Sequence, residues 1–208
     1  MHHHLFHGLI GDLIVEKAKQ GPIRMLDLGC GDASQLADHL KGITVAQYTG
    51  YDLAETALLI AKENLSFLGN STRLIEGRME DLIQEEELQY NIVHTSFAIH
   101  HLQDQQKADL IRKITKLLLP GGIFVYVDVF RMEEMDRDAY LKQYCDTLDQ
   151  HWTLLTNDEK LSIKEHLTNH DYPSTVSFIK EQASQFGLQY MFGETRDGIH
   201  HFMYFQKA

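Results

Sequence analysis

A chain of 208 residues, 43% hydrophobic and 24% charged, is long enough to bury a real core and fits one domain with or without an insertion. Its formal net charge of −11 argues against a protein that grips nucleic acid through a general basic face. No apolar run reaches the roughly 18 residues of a membrane helix and no signal peptide is visible, so a cytoplasmic protein without a membrane partner is expected. Cys30 and Cys145 have no metal-binding spacing and are expected as reduced thiols, with no metal site. Met1-His2-His3-His4 has the look of a purification-tag remnant and stays out of any metal argument.

Leu9, Ile10, Leu13, Ile14 and Ala18 recur at helical spacing, and Gly21-Pro22 stops that helix. Ile23 to Leu28 is an apolar run too short for a helix and reads as a buried parallel strand. Gly29 and Gly31 break it, and Leu36, Ala37 and Leu40 mark a helix over Ser34 to Lys41. Strand, glycine turn and helix make a ligand site at the carboxyl edge of an open α/β sheet. Glycines admit a close backbone approach, and a helix start offers free N–H groups. The second strand lies within Ile43 to Leu53 and ends on Asp52. A carboxylate about 20 residues beyond a glycine turn suits a pair of ribose hydroxyls, whereas the plainer alternative is an Asp capping a helix from Ala54.

Ala57, Ile60, Ala61, Leu65 and Leu68 give the next helix, closed by Gly69-Asn70 ahead of an outer strand, Thr72 to Glu76. Gly77-Arg78-Met79-Glu80-Asp81-Leu82 then reads as a loop. Tyr90 to Phe97 is the fourth strand and runs into Ala98-Ile99-His100-His101-Leu102. His100 and His101 are candidate bases because imidazole titrates near neutral pH; alternatively one fills space and the other caps the helix from Gln103. Leu110, Ile111, Ile114, Leu117 and Leu118 form the following helix, ended by Pro120-Gly121-Gly122, and Ile123 to Phe130 is the fifth strand. Asp128, near its carboxyl end, either orients a substrate or is a buried structural acid.

From Arg131 to His170 the alternation is interrupted by two helices, one carrying Tyr140, Tyr144, Leu148, Trp152 and Leu155, the other opened by Thr156 and Glu159 as a capping box and running to about Thr168. His166 and the His170-Asp171-Tyr172 turn are the chemically capable residues of this insertion, and His166 and Tyr172 join the catalytic candidates. Val176, Ile179, Ala183 and Phe186 mark a last helix, followed by a hairpin of Leu188 to Phe192 and Ile199 to Gln206 joined through Glu194-Thr195-Arg196-Asp197-Gly198.

At Asp27, Gly29 and Gly31 the chain resembles the class I S-adenosylmethionine-dependent methyltransferases, whose motif is acid-x-Gly-x-Gly-x-Gly; Ala33 stands at the third glycine. The strand ending in Ser96 and the Ala98-to-Leu102 turn resemble the small-molecule branch of that family, while the Pro120-Gly121-Gly122 entry and the closing hairpin resemble the family as a whole. The Asn/Asp-Pro-Pro-Tyr tetrapeptide of enzymes that methylate amino nitrogens is missing. The resemblance implies an α/β, doubly wound, Rossmann-like seven-stranded sheet with an antiparallel last strand and a helical lid. It implies one domain, with a cofactor core over 9–130, the lid over 131–173 and a completing helix and hairpin over 174–208. It also implies S-adenosylmethionine as cofactor, a small-molecule acceptor, and a monomer or homodimer. The residues it places on the cofactor are Asp27, Gly29, Cys30, Gly31, Asp52, Leu53, Arg78, Met79, Ser96 and Phe97; Arg78 stands where the family has an acid for the adenine amino group. The layout also looks like carboxy-S-adenosylmethionine synthase, which needs a lid arginine where this chain offers Lys164, or like a non-catalytic relative that only binds the cofactor.

Overall fold

In the computed structural model, which describes residues 3–85, 87–195 and 198–208, the apolar run Ile23–Leu28 is strand β1. Val45–Asp52 (β2), Thr72–Glu76 (β3), Tyr90–Ser96 (β4) and Leu118–Val129 (β5) join it in a parallel array, and the hairpin Leu188–Thr195 (β6) and His200–Lys207 (β7) completes the sheet. The order is β3-β2-β1-β4-β5-β7-β6, with β7 antiparallel to both of its neighbours. This is the doubly wound, seven-stranded arrangement expected, with β3 on the outside. Met1, His2, Arg196 and Asp197 lie outside the described residues, and so the tag reading and the tip of the hairpin do too.

Alternation along the strands feeds two cores. Leu26 and Leu28 pack with Ile111 and Ile114 of α5 (Asp104–Leu117) and Ile179 of α8 (Val176–Gln185). Ile23 and Met25 point the other way, against Ile10 and Ile14 of α1 (His3–Ala18) and Leu36 and Leu40 of α2 (Ser34–Leu40). Each such side chain contributes about 1.5–3 kcal/mol by leaving water.

Three expected boundaries move. The helix after β2, α3, covers Glu55–Asn64 and gives way to a 3₁₀ turn, Ser66–Ser71, across Gly69 at φ 55°, instead of running on to Leu68. Starting at Glu55 turns Leu58 and Ala61 inward and leaves Ile60 49% exposed. The supposed loop after β3 becomes helix α4, Met79–Glu85, whose first turn holds Glu80 and Asp81, the charge sign a helix start favours. Strand β5 begins at Leu118, which pairs with Tyr90, and passes through Pro120. A proline is tolerated there because the ladder to β4 is already irregular at that point.

Helices α6 (Arg137–His151) and α7 (Asn157–His170) lie between β5 and α8 in the chain. They meet through Tyr140, Leu141 and Leu167. Asp136 accepts from the Ala139 N–H at 2.8 Å, and Thr156 with Glu159 forms the capping box read from the sequence. Among the described residues no helix is long and apolar enough to cross a membrane, and both cysteines are free thiols.

Candidate active site

The site is built where β1 and β4 diverge, because helices leave these two neighbours on opposite faces and open a crevice at their carboxyl ends. After β1 the chain turns through Gly29 (φ 73°) and Gly31 (φ 52°). The Gly29 and Cys30 N–H groups both donate to the Tyr51 carbonyl, at 2.8 and 3.0 Å, which ties the turn to the end of β2. Asp52 completes the tie: Oδ2 accepts from the Gly31 N–H at 2.7 Å and Oδ1 from the Ala54 N–H at 2.9 Å. Asp52 thus braces the Ala54 N–H just ahead of α3, whose N-cap is Ala54 itself, and stands on the cavity rim beside the glycine turn. At Gly29 an added Cβ would lie 2.4 Å from the Ala98 Cβ, so the turn and the 98–101 segment approach as closely as backbone allows. Ala33 sits at φ 53°, which explains why the family motif has glycine there; alanine costs about 1–2 kcal/mol in that conformation. Phe97 has φ 52° at the end of β4, a second strained residue on the same crevice.

A cavity of ≈ 780 Å³ opens on this crevice. Of the expected cofactor residues it brings together Gly29, Gly31, Asp52, Leu53, Arg78, Met79, Ser96 and Phe97. Arg78 reaches Glu80 with both Nε (2.8 Å) and a terminal nitrogen, so its charge is answered locally. Asp27 and Cys30 are not among the lining residues. The Asp27 side chain is buried beneath the turn, where it accepts from the Tyr48 hydroxyl at 2.6 Å and faces His94 Nδ1 at 2.8 Å. Burial, and then the Asp27 charge, push the Tyr48 phenol well up. Burial, reinforced by Asp27 and Asp52, likewise pushes the Cys30 thiol far above its usual range, so it is an inert packing residue.

The opposite wall comes from the 3₁₀ turn Ile99–His101 and the end of α7, and it is lined by His101, His166, Asn169, His170 and Tyr172. Of the four catalytic candidates, His101, His166 and Tyr172 face the cavity, whereas His100 lies behind it, buried. Its N–H donates to Asp128 Oδ2 at 3.0 Å, and its Nδ1 meets Asp128 Oδ1 at 2.6 Å. Burial alone would lower the His100 pKa, but the charge and hydrogen bond of Asp128 outweigh it, and the net direction is upward. Asp128 is thus the buried structural acid of the two readings, and Gln103 with Gln106, not a histidine, caps α5. Asn169 and Tyr51 were missed in the sequence; positions 166, 169 and 170 lie on one helical face, a spacing that marks Asn169 once His166 is singled out.

The 171–174 segment is held from two sides. Arg137 donates from Nε to the Asp171 carbonyl at 2.7 Å and lies 4.5 Å over the Tyr172 ring. Lys107, fully buried on α5, donates to the Tyr172 carbonyl and to Ser174 Oγ at 2.7 Å. Burial pulls the Lys107 pKa down to about 8 against the opposing pull of Asp104. The unfolded chain, with a lysine pKa of about 10.4, then binds more protons between those values. Stability relative to Lys107→Met should therefore rise with pH across that window, by on the order of 2–3 kcal/mol in all. Urea denaturation of both proteins at about pH 7.5 and pH 10 checks the sign, and a parallel pH dependence in the two would refute it.

Residues 26–124 match the family model described as Methyltransferase domain. An uncharacterized methyltransferase of Synechocystis sp. is 36% identical over 110 residues, 52% of this chain and 48% of that protein. The Ubiquinone biosynthesis O-methyltransferase of Bordetella pertussis is 32% identical over 99 residues, 48% of this chain and 39% of that protein. The chain thus spans less than half the length of the curated relatives in these alignments. Among solved structures, magnesium protoporphyrin IX methyltransferase from Synechocystis PCC 6803, with bound S-adenosylhomocysteine, superposes with a TM-score of 0.68 at 12% identity, over 99% of this chain and 83% of that one. YcgJ from Bacillus subtilis does so with a TM-score of 0.68 at 16% identity, over 99% of both chains. The fold is that of a Rossmann-like methyltransferase. Residues 26–124 carry a methyltransferase domain, and with the glycine turn they resemble the class I S-adenosylmethionine-dependent methyltransferases, whose cofactor is S-adenosylmethionine. The residues present fit that cofactor, since the glycine turn lines the cavity and the Asp52 oxygens beside it keep free lone pairs on the rim.

Proposed function

We propose that this protein transfers the methyl group of S-adenosylmethionine to a small-molecule acceptor by in-line displacement, within one domain. Residues 9–130 hold the cofactor, 131–173 form a lid and 174–208 complete the sheet. The observation that carries the reading is that the glycine turn with Asp52 and the histidine wall with Tyr172 face each other across one cavity. When bound, the cofactor supplies an electrophilic methyl on a sulfonium centre. Asp52 accepts from the two ribose hydroxyls, the Gly29 and Gly31 backbone admits the nucleoside, and Met79 and Arg78 flank the base. Ser96 and Phe97 present main chain to the methionyl part, while Leu53 covers the sugar edge. Asp27 and Cys30 act from beneath, fixing the turn. Helices α6 and α7 exclude water above, and His101, His166 and Tyr172 orient the acceptor and take its proton where it has one to lose. His100 supports His101 from behind.

The test is incubation with methyl-labelled S-adenosylmethionine and a pooled metabolite extract. The expected result is S-adenosylhomocysteine with label moved to a small molecule; tight binding without label transfer would leave a binding protein, and a carboxylated nucleoside seen by mass spectrometry would make it a cofactor-modifying enzyme. Asp52→Ala is expected to lower cofactor affinity by about 1–3 kcal/mol through the lost charge-assisted bonds. Titration calorimetry measures it, and an unchanged dissociation constant removes Asp52 from the site.

A further inference from the structure

We propose that His100, His101 and Asp171, joined by His166, bind a divalent first-row cation of the zinc type in the wall of the cavity. The signal is Asp171. Its carboxylate is 4% exposed, and Oδ1 has no hydrogen-bond partner among the described residues, a costly condition for a buried anionic oxygen. Three imidazole nitrogens converge on that same oxygen: His101 Nδ1 at 3.4 Å, His100 Nε2 at 3.7 Å and His166 Nε2 at 4.0 Å. Ligand atoms of His100, His101 and Asp171 all lie within 4.8 Å of one another.

Metal–nitrogen and metal–oxygen bonds of about 2.0–2.2 Å at tetrahedral angles put neighbouring ligands about 3.4 Å apart, so small side-chain adjustments close this set on an ion. His100 is already prepared for that role. Asp128 Oδ1 holds its Nδ1 side at 2.6 Å and its Nε2 faces Asp171 Oδ1 at 3.7 Å, the carboxylate–histidine arrangement found behind metal ligands. His101 would give up a long 3.3 Å contact with the His170 carbonyl. Arg137 and Lys107 hold the 171–172 backbone through its carbonyls, leaving the Asp171 side chain free of that task. A donor set of imidazoles and one carboxylate suits zinc, cobalt or nickel, not magnesium or calcium, which prefer oxygen throughout. Because His101 and His166 also line the cavity, the ion would stand at its wall, and while it is bound Tyr172 alone of the three catalytic candidates facing that space would be left to take a proton. Nothing in this geometry depends on methyl transfer.

The experiment uses the full chain with His2, His3 and His4 changed to alanine, so that the amino-terminal tract takes no metal. Titration with Co²⁺ should give one ion per chain, visible absorption bands of four-coordinate cobalt, and displacement by Zn²⁺. Asp171→Asn and His101→Ala should each weaken Zn²⁺ binding at least tenfold in competition with a chelating dye, while His151→Ala, on the exposed end of α6, leaves it unchanged. His101 is 41% exposed at its side chain, so that variant decides the matter if Asp171→Asn folds poorly. Absence of stoichiometric Co²⁺ binding in the tract-substituted chain, or an affinity that both substitutions leave intact, overturns the site.

Discussion

Gly29→Val is expected to abolish binding of S-adenosylmethionine while leaving a cooperatively folded protein. Two effects add at this position. The backbone sits at φ 73°, where a β-branched residue is strained by more than the roughly 1–2 kcal/mol that any L-residue pays. The new Cβ would also stand 2.4 Å from that of Ala98, on a segment fixed by Asp128, so relief requires the turn to move away from β4. Gly31 separates the two effects: it has φ 52° but nothing within 4 Å of an added Cβ. Gly31→Ala should therefore cost about 1 kcal/mol of stability and a modest part of the affinity. Calorimetric titration of both variants, with circular dichroism melts as the folding check, reads the contrast. Equal cofactor affinity in Gly29→Val and the parent would mean that this turn is not the cradle.

The parallel strands and the glycine turn were legible because burial on both faces leaves continuous apolar runs of strand length, and glycine alone settles at positive φ without strain. Thus Ile23–Leu28 falls where the residues place it, and the outer strand Thr72–Glu76 does so as well, though none of it is fully buried. Helix ends were less legible. Nothing local tells Leu65 to stop α3 and enter a 3₁₀ turn, since apolar residues continue to Leu68 and only packing on the sheet decides which face turns inward. The Asp52 rim could be read from spacing along one chain segment. The histidine wall could not, because His100 and Asp171 are 71 positions apart and meet only where the chain leaving α7 returns to the 3₁₀ turn, the Tyr172 N–H donating to the His100 carbonyl. Asp128 shows the limit most clearly: both of its readings were chemically sound, and its partner His100 lies 28 residues away on another strand's exit.

Asp27→Ala should be the most destabilising single change in the core, at about 3–5 kcal/mol, because it removes one partner from a buried charged network and leaves the others uncompensated. Asp27 is 2% exposed, and its two oxygens separately satisfy the Tyr48 hydroxyl and His94 Nδ1. Asp27→Asn keeps one acceptor and should lose less, since only one of the two contacts then faces an amide N–H. Tyr48→Phe alone removes a donor along with its need for an acceptor and should cost about 1 kcal/mol. If the network is the cause, Asp27→Ala with Tyr48→Phe will cost less than the sum of the two, whereas independent effects would add. Urea midpoints at constant m-value give all four numbers. A cost below about 0.5 kcal/mol for Asp27→Ala, the range of ordinary surface changes, would show that the acid is not what holds β1 against β2 and β4. Cofactor affinity should fall alongside stability in the alanine variant, because Asp27 lies two residues before Gly29 and its hydrogen bonds set the level at which the turn leaves the sheet.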